Sequence, residues 1–344
     1  MSATSSTSLS VSSIRQADLA ELDHLVSQNF NFPKGESFIK NFPRLFKDSN
    51  LHNLYCIRDQ KQKIVSHVGS LQLVWRFSQE ISFNLLVIGA VATDSQHRGE
   101  GLASRLIEKA LDSHQEWADL AVLWGEREAL YSKSGFVSVQ TDELHWFPDR
   151  SSQVVPSQSY RIESLEGEGE LGSHLKDFME LYERQAHYIE RTRLDWESLF
   201  KVPGATWFVA RSKKDQALLA YLVVGKGQDF QGIAHELIGP SGALEGLIGE
   251  AQRKLSLLGG ISPIWDKNLA QVFLKNGSMS SERIGGMWTL LNQKSFLEKL
   301  QKIGIPVRTG LLESLGELEN KKAFLGEILQ SEKLGLFIQG FDSH

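Results

Sequence analysis

The stretch "VATDSQHRGEGLASRLIEKAL", Val91 to Leu111, decides the fold. An apolar run, "LLVIGAV" at residues 85–91, leads into it, and two glycines flank Glu100 at its centre. Leu102, Leu106, Ile107, Ala110 and Leu111 then recur at the spacing of one helix face. The pattern is a strand, a turn of small residues and a helix. Amides at a helix start lack carbonyl partners, and the helix dipole places partial positive charge there. With small residues at Gly99, Gly101 and Ala103, an anion can come within reach of several of those amides. Arg98 adds a cation beside them. In form this is a pyrophosphate cradle, and the competing reading is a tight strand-to-helix turn with no ligand. The spacing excludes a nucleoside triphosphate loop, because no Lys-Ser/Thr pair follows. It also excludes a dinucleotide fingerprint, which needs a third glycine and an acidic residue about twenty positions on.

Outward from the turn, the chain reads as α+β with a mixed sheet. Towards the N-terminus, "LYCIR", "IVSHVGSLQLVWRF" and "SFNLLVIGAVAT" are three meandering strands separated by polar turns. Before them, Asp18 opens the helical pattern "DLAELDHLVSQNF". After the turn come the short strand "ADLAVLW", a helical piece at "REALYSKS", Gly135 and the strand "FVSVQ". Residues 1–12 read as a disordered tail, 13–150 as the first domain and 151–172, polar and glycine-rich, as a linker. Residues 173–293 repeat the order of elements without the sequence, which suggests a duplicated fold, and 294–344 form a C-terminal extension. The helix "IERTRLDWESLF", the strands "ATWFVARS", "ALLAYLVVGK", "IAHELIG" and "GGMWTLLN", and the helix "GALEGLIGEAQRKLSLLG" are expected in the second half.

Composition narrows the function classes. With 344 residues, 41% hydrophobic and 23% charged, two ordinary globular domains are expected. A net charge of −5 disfavours a nucleic-acid partner. No apolar run approaches the ~20 residues that span a bilayer, and the first thirteen residues lack the basic start and apolar core of a signal peptide. The lone Cys56 cannot form an internal disulfide. A cytoplasmic protein with no membrane partner is the expectation. No His or Cys pair has metal-ligand spacing, so no metal is expected.

The hexamer and its surroundings resemble the acetyl-CoA signature of the GCN5-related N-acetyltransferases (GNAT), Arg/Gln-x-x-Gly-x-Gly/Ala, with Arg98, Gly101 and Ala103 in the defining positions. The resemblance implies that the backbone of Val91, Ala92 and Thr93 pairs with the pantetheine arm. It further implies that the amides of Gly99, Glu100, Gly101, Leu102, Ala103 and Ser104 receive the pyrophosphate of acetyl-CoA (coenzyme A). "ALYSKSGF" at residues 129–136 is similar to the family segment whose tyrosine, Tyr131 here, protonates the departing thiolate. A phenol with an ordinary pKa near 10 carries its proton at neutral pH and suits that task.

The whole chain resembles the two-domain bacterial branch of the enhanced-intracellular-survival (Eis-like) type. This implies tandem GNAT-like domains, the first cofactor-binding and the second degenerate, and a C-terminal tail returning to the active site. That transfer makes the terminal carboxylate of His344 a candidate base or acceptor anchor, with Asp342 beside it; a terminus frayed in solvent is the alternative. The strand before the cradle has no carboxylate, so the family's usual glutamate base is missing. Glu126 and Glu128 lie near Tyr131, and one of His235 and Glu236 is expected to face the inter-domain cleft. The expected activity is direct acetyl transfer to a primary amine. A transferase of longer acyl-CoA and a non-catalytic acyl-CoA sensor or scaffold are the alternatives. The acceptor, the acyl length, the base and the oligomeric state, a homo-oligomer included, are left open.

Overall fold

The computed structural model describes residues 10–125, 127–149, 159–263, 266–307, 315, 317–329 and 334, without the side chains of 141, 142 and 282–285. The first half runs β1 (Val11–Ser13), α1 (Leu19–Asn29), α2 (Phe38–Asn41), β2 (Leu54–Arg58), β3 (Ile64–Arg76), β4 (Ser82–Thr93), α3 (Leu102–His114), β5 (Leu120–Leu123), α4 (Glu128–Tyr131) and β6 (Val137–Pro148). The polar turn between β2 and β3 is held by Asp59, whose carboxylate accepts the amides of Lys61 and Lys63, both at 2.8 Å. β2, β3 and β4 pair antiparallel as the meander predicts, and β5 returns parallel to β4 because α3 carries the chain across the sheet.

The second half runs β7 (Tyr160–Leu165), α5 (Glu168–Ser173), α6 (Leu175–Tyr182), β8 (Tyr188–Ile189), α7 (Arg193–Leu199), β9 (Thr206–Ser212), β10 (Leu218–Val224), β11 (Ile233–Ile238), α8 (Ser241–Lys254), β12 (Gly259–Pro263), α9 (Lys267–Lys275) and β13 (Gly277–Leu290). Helices α10 (Gln293–Lys302) and α11 (Leu318–Leu329) follow. The helix expected from Ile189 starts only at Arg193. Thr192 and Asp195 form a capping box there, and the preceding Tyr188–Ile189 pairs with the end of β3 instead. α9 escaped the sequence reading, although Leu269, Val272 and Phe273 sit one turn apart behind the Asp266 cap.

The two halves share one sheet, ordered β1-β2-β3-β4-β5-β13-β6-β12-β11-β10-β9-β7, with β8 on β3. β13 lies between β5 and β6, matching Trp288 to Val137 and Met287 to Leu123. β6 in turn carries β12 on its other edge. Ion pairs reinforce this exchange. Arg44 and Lys47 meet Asp195 at 3.2 and 2.7 Å, and Arg76 pairs with Glu190. Burial raises the Asp195 pKa, but the charges of Arg44 and Lys47 outweigh it and hold the carboxyl well below its ordinary range. Deleting one partner of such a buried pair costs about 3–5 kcal/mol, so the pairing strongly disfavours sliding of the halves.

Apolar side chains fill both faces of the first half. On one face Leu22, Val26, Phe38, Phe46, Leu85 and Val87 join Phe296, Leu300, Phe324 and Leu325 of the C-terminal helices. On the other, α3 packs Leu102, Leu106 and Ile107 against Leu86, Ile88, Ala121 and Leu123. Asp119 ties α10 to the sheet, accepting from Ser295 Oγ and Lys299 Nζ, both at 2.6 Å. No helix among the described residues is long and apolar enough to cross a membrane.

Candidate functional site

β4 pairs with β5 only from Leu85 to Val87, while on its other side it stays paired with β3 to Thr93. From Ile88 onward, one edge of β4 has no strand partner among the described residues. The break coincides with a bulge. Between Gly89 and Ala92, β4 spends one residue more than β3 spends between Gly69 and His67, and Ala90 takes φ +50°. Val91, Ala92 and Thr93, the expected pantetheine residues, lie on this open segment. Ala92 is buried, and Val91 and Thr93 are half-buried.

At the end of that strand, Asp94 caps a short turn by accepting the amide of Gln96 at 3.0 Å, and the chain enters the glycine turn. Gly99 has φ +87° and Gly101, the residue capping α3, has φ +76°, conformations in which glycine avoids the Cβ clash of other residues. Among the described residues the amides of Gly99, Glu100, Gly101, Leu102, Ala103 and Ser104 donate to no carbonyl; the first helical bond is Arg105 N to Gly101 O at 3.2 Å. Nothing lies within 4 Å of the position a Cβ would take on Gly99 or Gly101. The first turn of α3 holds no acidic residue, and the Glu100 carboxylate is drawn aside to His97 Nδ1 at 3.2 Å. Arg98 is exposed, its Nη2 donating to Asn29 Oδ1 at 3.0 Å and its Nε to Thr93 O at 3.4 Å. Open amides, a helix N-terminus and a guanidinium thus fit a pyrophosphate. Asn29, which orients the arginine, carried no signal in the sequence.

Tyr131 closes the four-residue helix α4 and is buried on the same face as Leu102 and Leu106. A Cβ on Gly125 would meet its Cε2 at 2.8 Å, so the absence of a side chain there lets the ring lie against the backbone. Behind it, Gly135 turns at φ +81°, the Phe136 amide returns to Tyr131 O at 3.3 Å, and Lys321 of α11 donates to Gly135 O at 3.2 Å. The C-terminal helices therefore hold the segment that carries the tyrosine. The Tyr131 hydroxyl makes no hydrogen bond among the described residues. Burial of the ring raises its pKa, which keeps the phenol protonated at neutral pH.

The base is less well placed. Glu126 and His344 with Asp342 lie outside the described residues, and Glu128 is exposed. His235 and Glu236 do not supply a free group at the cleft. Glu236 binds Arg191 through both oxygens at 2.8 and 2.7 Å and accepts from Tyr221, while His235 is buried with Nε2 at 2.9 Å from Gly225 O. Both residues are buried because both faces of β11 are covered. No group of three or more His, Cys, Asp or Glu side chains among the described residues could hold a metal ion.

His67 of β3, unremarked in the sequence, is wholly buried beside the bulge. Its Nδ1 lies 2.8 Å from Ala90 O and its Nε2 has no partner among the described residues. Burial pushes its pKa down to about 4. In the unfolded chain it titrates near 6.5, so between these values the unfolded state takes up a proton that the folded state refuses. Stability from this group is complete above pH 6.5 and falls as pH drops towards 4, by on the order of 3 kcal/mol. Burial pushes His114 and His187 the same way. Thermal unfolding at pH 7.5, 6 and 4.5 should give a falling Tm, and a Tm flat across that range would contradict the neutral buried imidazole.

Residues 10–138 match the family model described as Acetyltransferase (GNAT) domain. No curated protein matches the chain. Among solved structures, a conserved protein of unknown function from Enterococcus faecalis V583, described as a probable N-acyltransferase, is similar over 85% of this chain and 75% of its own. It is 16% identical with a TM-score of 0.64. A GCN5-related N-acetyltransferase from Anabaena variabilis is 19% identical over 83% of this chain and 73% of its own, with a TM-score of 0.60. Eis1 from Mycobacterium abscessus is 12% identical over 84% and 76%, with a TM-score of 0.54. These likenesses span both halves and show the fold, a pair of GNAT-like units. The family match identifies residues 10–138 as a GNAT acetyltransferase domain.

Proposed function

From a chain with a GNAT acetyltransferase domain, we propose an acetyl-CoA-dependent N-acetyltransferase that moves the acetyl group directly to a primary amine of a small molecule or peptide. The observation that carries this reading is the continuity of the open β4 edge with the unpaired amides of Gly99 to Ser104. The edge offers strand-like backbone to an amide-bearing arm, and the turn offers donors and a cation to a pyrophosphate. Residues 13–150 form the cofactor-binding domain and residues 173–293 the degenerate one in this proposal. Acetyl-CoA supplies the activated acyl carbon when bound. Val91 to Thr93 would orient the pantetheine arm, Arg98 to Ser104 would hold its phosphates, and Tyr131 holds a proton at its phenolic oxygen for the sulfur that leaves. As the amine forms the C–N bond and the C–S bond breaks, the amine's own proton passes to solvent.

Calorimetric titration with acetyl-CoA, followed by a thiol-release assay over a panel of amines, tests the proposal. Micromolar binding and thiol release with at least one amine are the expected results. Absence of acetyl-CoA binding would leave the glycine turn as architecture and sink the reading.

A further inference from the structure

A buried, unpaired ring nitrogen is a cost that a fold retains only for a return elsewhere in the structure. Among the described residues His67 Nε2 is such an atom, buried within the apolar face where the ring stacks on Phe46 at a centroid distance of 6.2 Å. The other nitrogen, Nδ1, meets the carbonyl of Ala90. A carbonyl can only accept, so Nδ1 carries the proton of the neutral ring. Ala90 is a residue with a Cβ held at φ +50°, inside the bulge that ends the pairing of β4 with β5. Its carbonyl is thereby taken up by a side chain. The β4 carbonyl two residues on is also gripped from β3: Ser66 Oγ, wholly buried, donates to Ala92 O at 3.3 Å.

We infer that His67 is a positioning residue, whose Nδ1–H on the Ala90 carbonyl holds the bulge in β4 and so fixes the open edge that receives the acyl-CoA arm. The inference rests on the function proposed above. It assigns His67 no contact with substrate and no proton transfer. Without the donor, Ala90 relaxes towards ordinary strand geometry and the edge at Ile88 to Thr93 loses its shape, while the cradle at Gly99 to Ser104 stays intact. Affinity should therefore fall while turnover of bound substrate changes less.

Three variants separate this role from core packing. His67→Asn keeps an amide N–H near the place of Nδ1 and should bind acetyl-CoA within about threefold of wild type. His67→Leu keeps the volume without the donor and should weaken binding and raise KM at least tenfold, with kcat changed by less than threefold. Ala90→Gly removes the φ penalty, so His67→Leu/Ala90→Gly should recover most of the lost affinity. Should His67→Leu fail to fold, the double variant should fold and bind; its failure too would assign His67 to packing and overturn the inference. Unaltered acetyl-CoA affinity in a folded His67→Leu chain would overturn it as well. Wild type that binds no acetyl-CoA would instead overturn the proposed function, so the two failures are distinguishable.

Discussion

A chain carrying Arg98→Glu and Gly101→Glu should lose at least a hundredfold in acetyl-CoA affinity while keeping its fold. Gly101 caps α3 at φ +76°, where any other residue sets its Cβ against the following carbonyl at a cost of about 1–2 kcal/mol. A glutamate there also projects a carboxylate into the space where the amides of Leu102 to Ser104 point. At Arg98 the change replaces a cation with an anion, so attraction to a pyrophosphate becomes repulsion. Each tenfold loss of affinity is about 1.4 kcal/mol, and the blocked amides and the reversed charge together exceed two such steps even after solvent screening. The fold should survive because Arg98 and Gly101 are exposed and open space surrounds the Gly101 Cα. Gly101→Asn is the informative control. Asparagine tolerates positive φ and adds no charge, so it should weaken binding by a few-fold only. Calorimetry on the three proteins reads the result. A double variant that binds as wild type does would mean that the turn holds no phosphate.

What the sequence revealed and what it concealed divide along the range of the interactions involved. The strand, glycine turn and helix were legible because they are contiguous, and each glycine is required by its own backbone angle. The short helix that ends at Tyr131 was legible for the same reason, being closed off by the turn at Gly135. The bulge was not, since "GAVAT" reads as an ordinary strand and nothing local marks Ala90 as the residue that turns left-handed. The clamp on it comes from His67, across a strand pair, in a segment "VSHVGS" that looks like any core strand. Long-range pairing also hid the place of β13. Its apolar end reads as a strand but not as the partner of Leu120–Leu123, more than 160 positions earlier. His235 and Glu236 illustrate the converse error. Alternation places one of them on each face, but both faces of β11 are covered, and Glu236 is consumed by Arg191 and Tyr221.

Tyr131→Phe should lower kcat at least a hundredfold, leave acetyl-CoA affinity within about threefold, and scarcely alter stability. The three expectations follow from different parts of the geometry. The ring is buried with Leu102 and Phe136, and phenylalanine preserves that packing. The hydroxyl makes no hydrogen bond among the described residues, so its removal orphans no partner, and the change in stability should stay within about 0.5 kcal/mol. What disappears is the proton. A positioned general acid contributes about 10²–10⁴ to rate, because the departing thiolate is otherwise protonated by water only after the C–S bond has broken. The pH profile gives a second, independent reading. Burial raises the Tyr131 pKa above its usual 10, so the wild-type rate should hold on the alkaline side up to and beyond that value and then decline as the acid is lost. The phenylalanine variant has no such proton to lose, and its slow rate should show no decline assignable to it. A variant with near-normal kcat would place the acid elsewhere, and one that loses affinity as steeply as rate would make Tyr131 a binding residue.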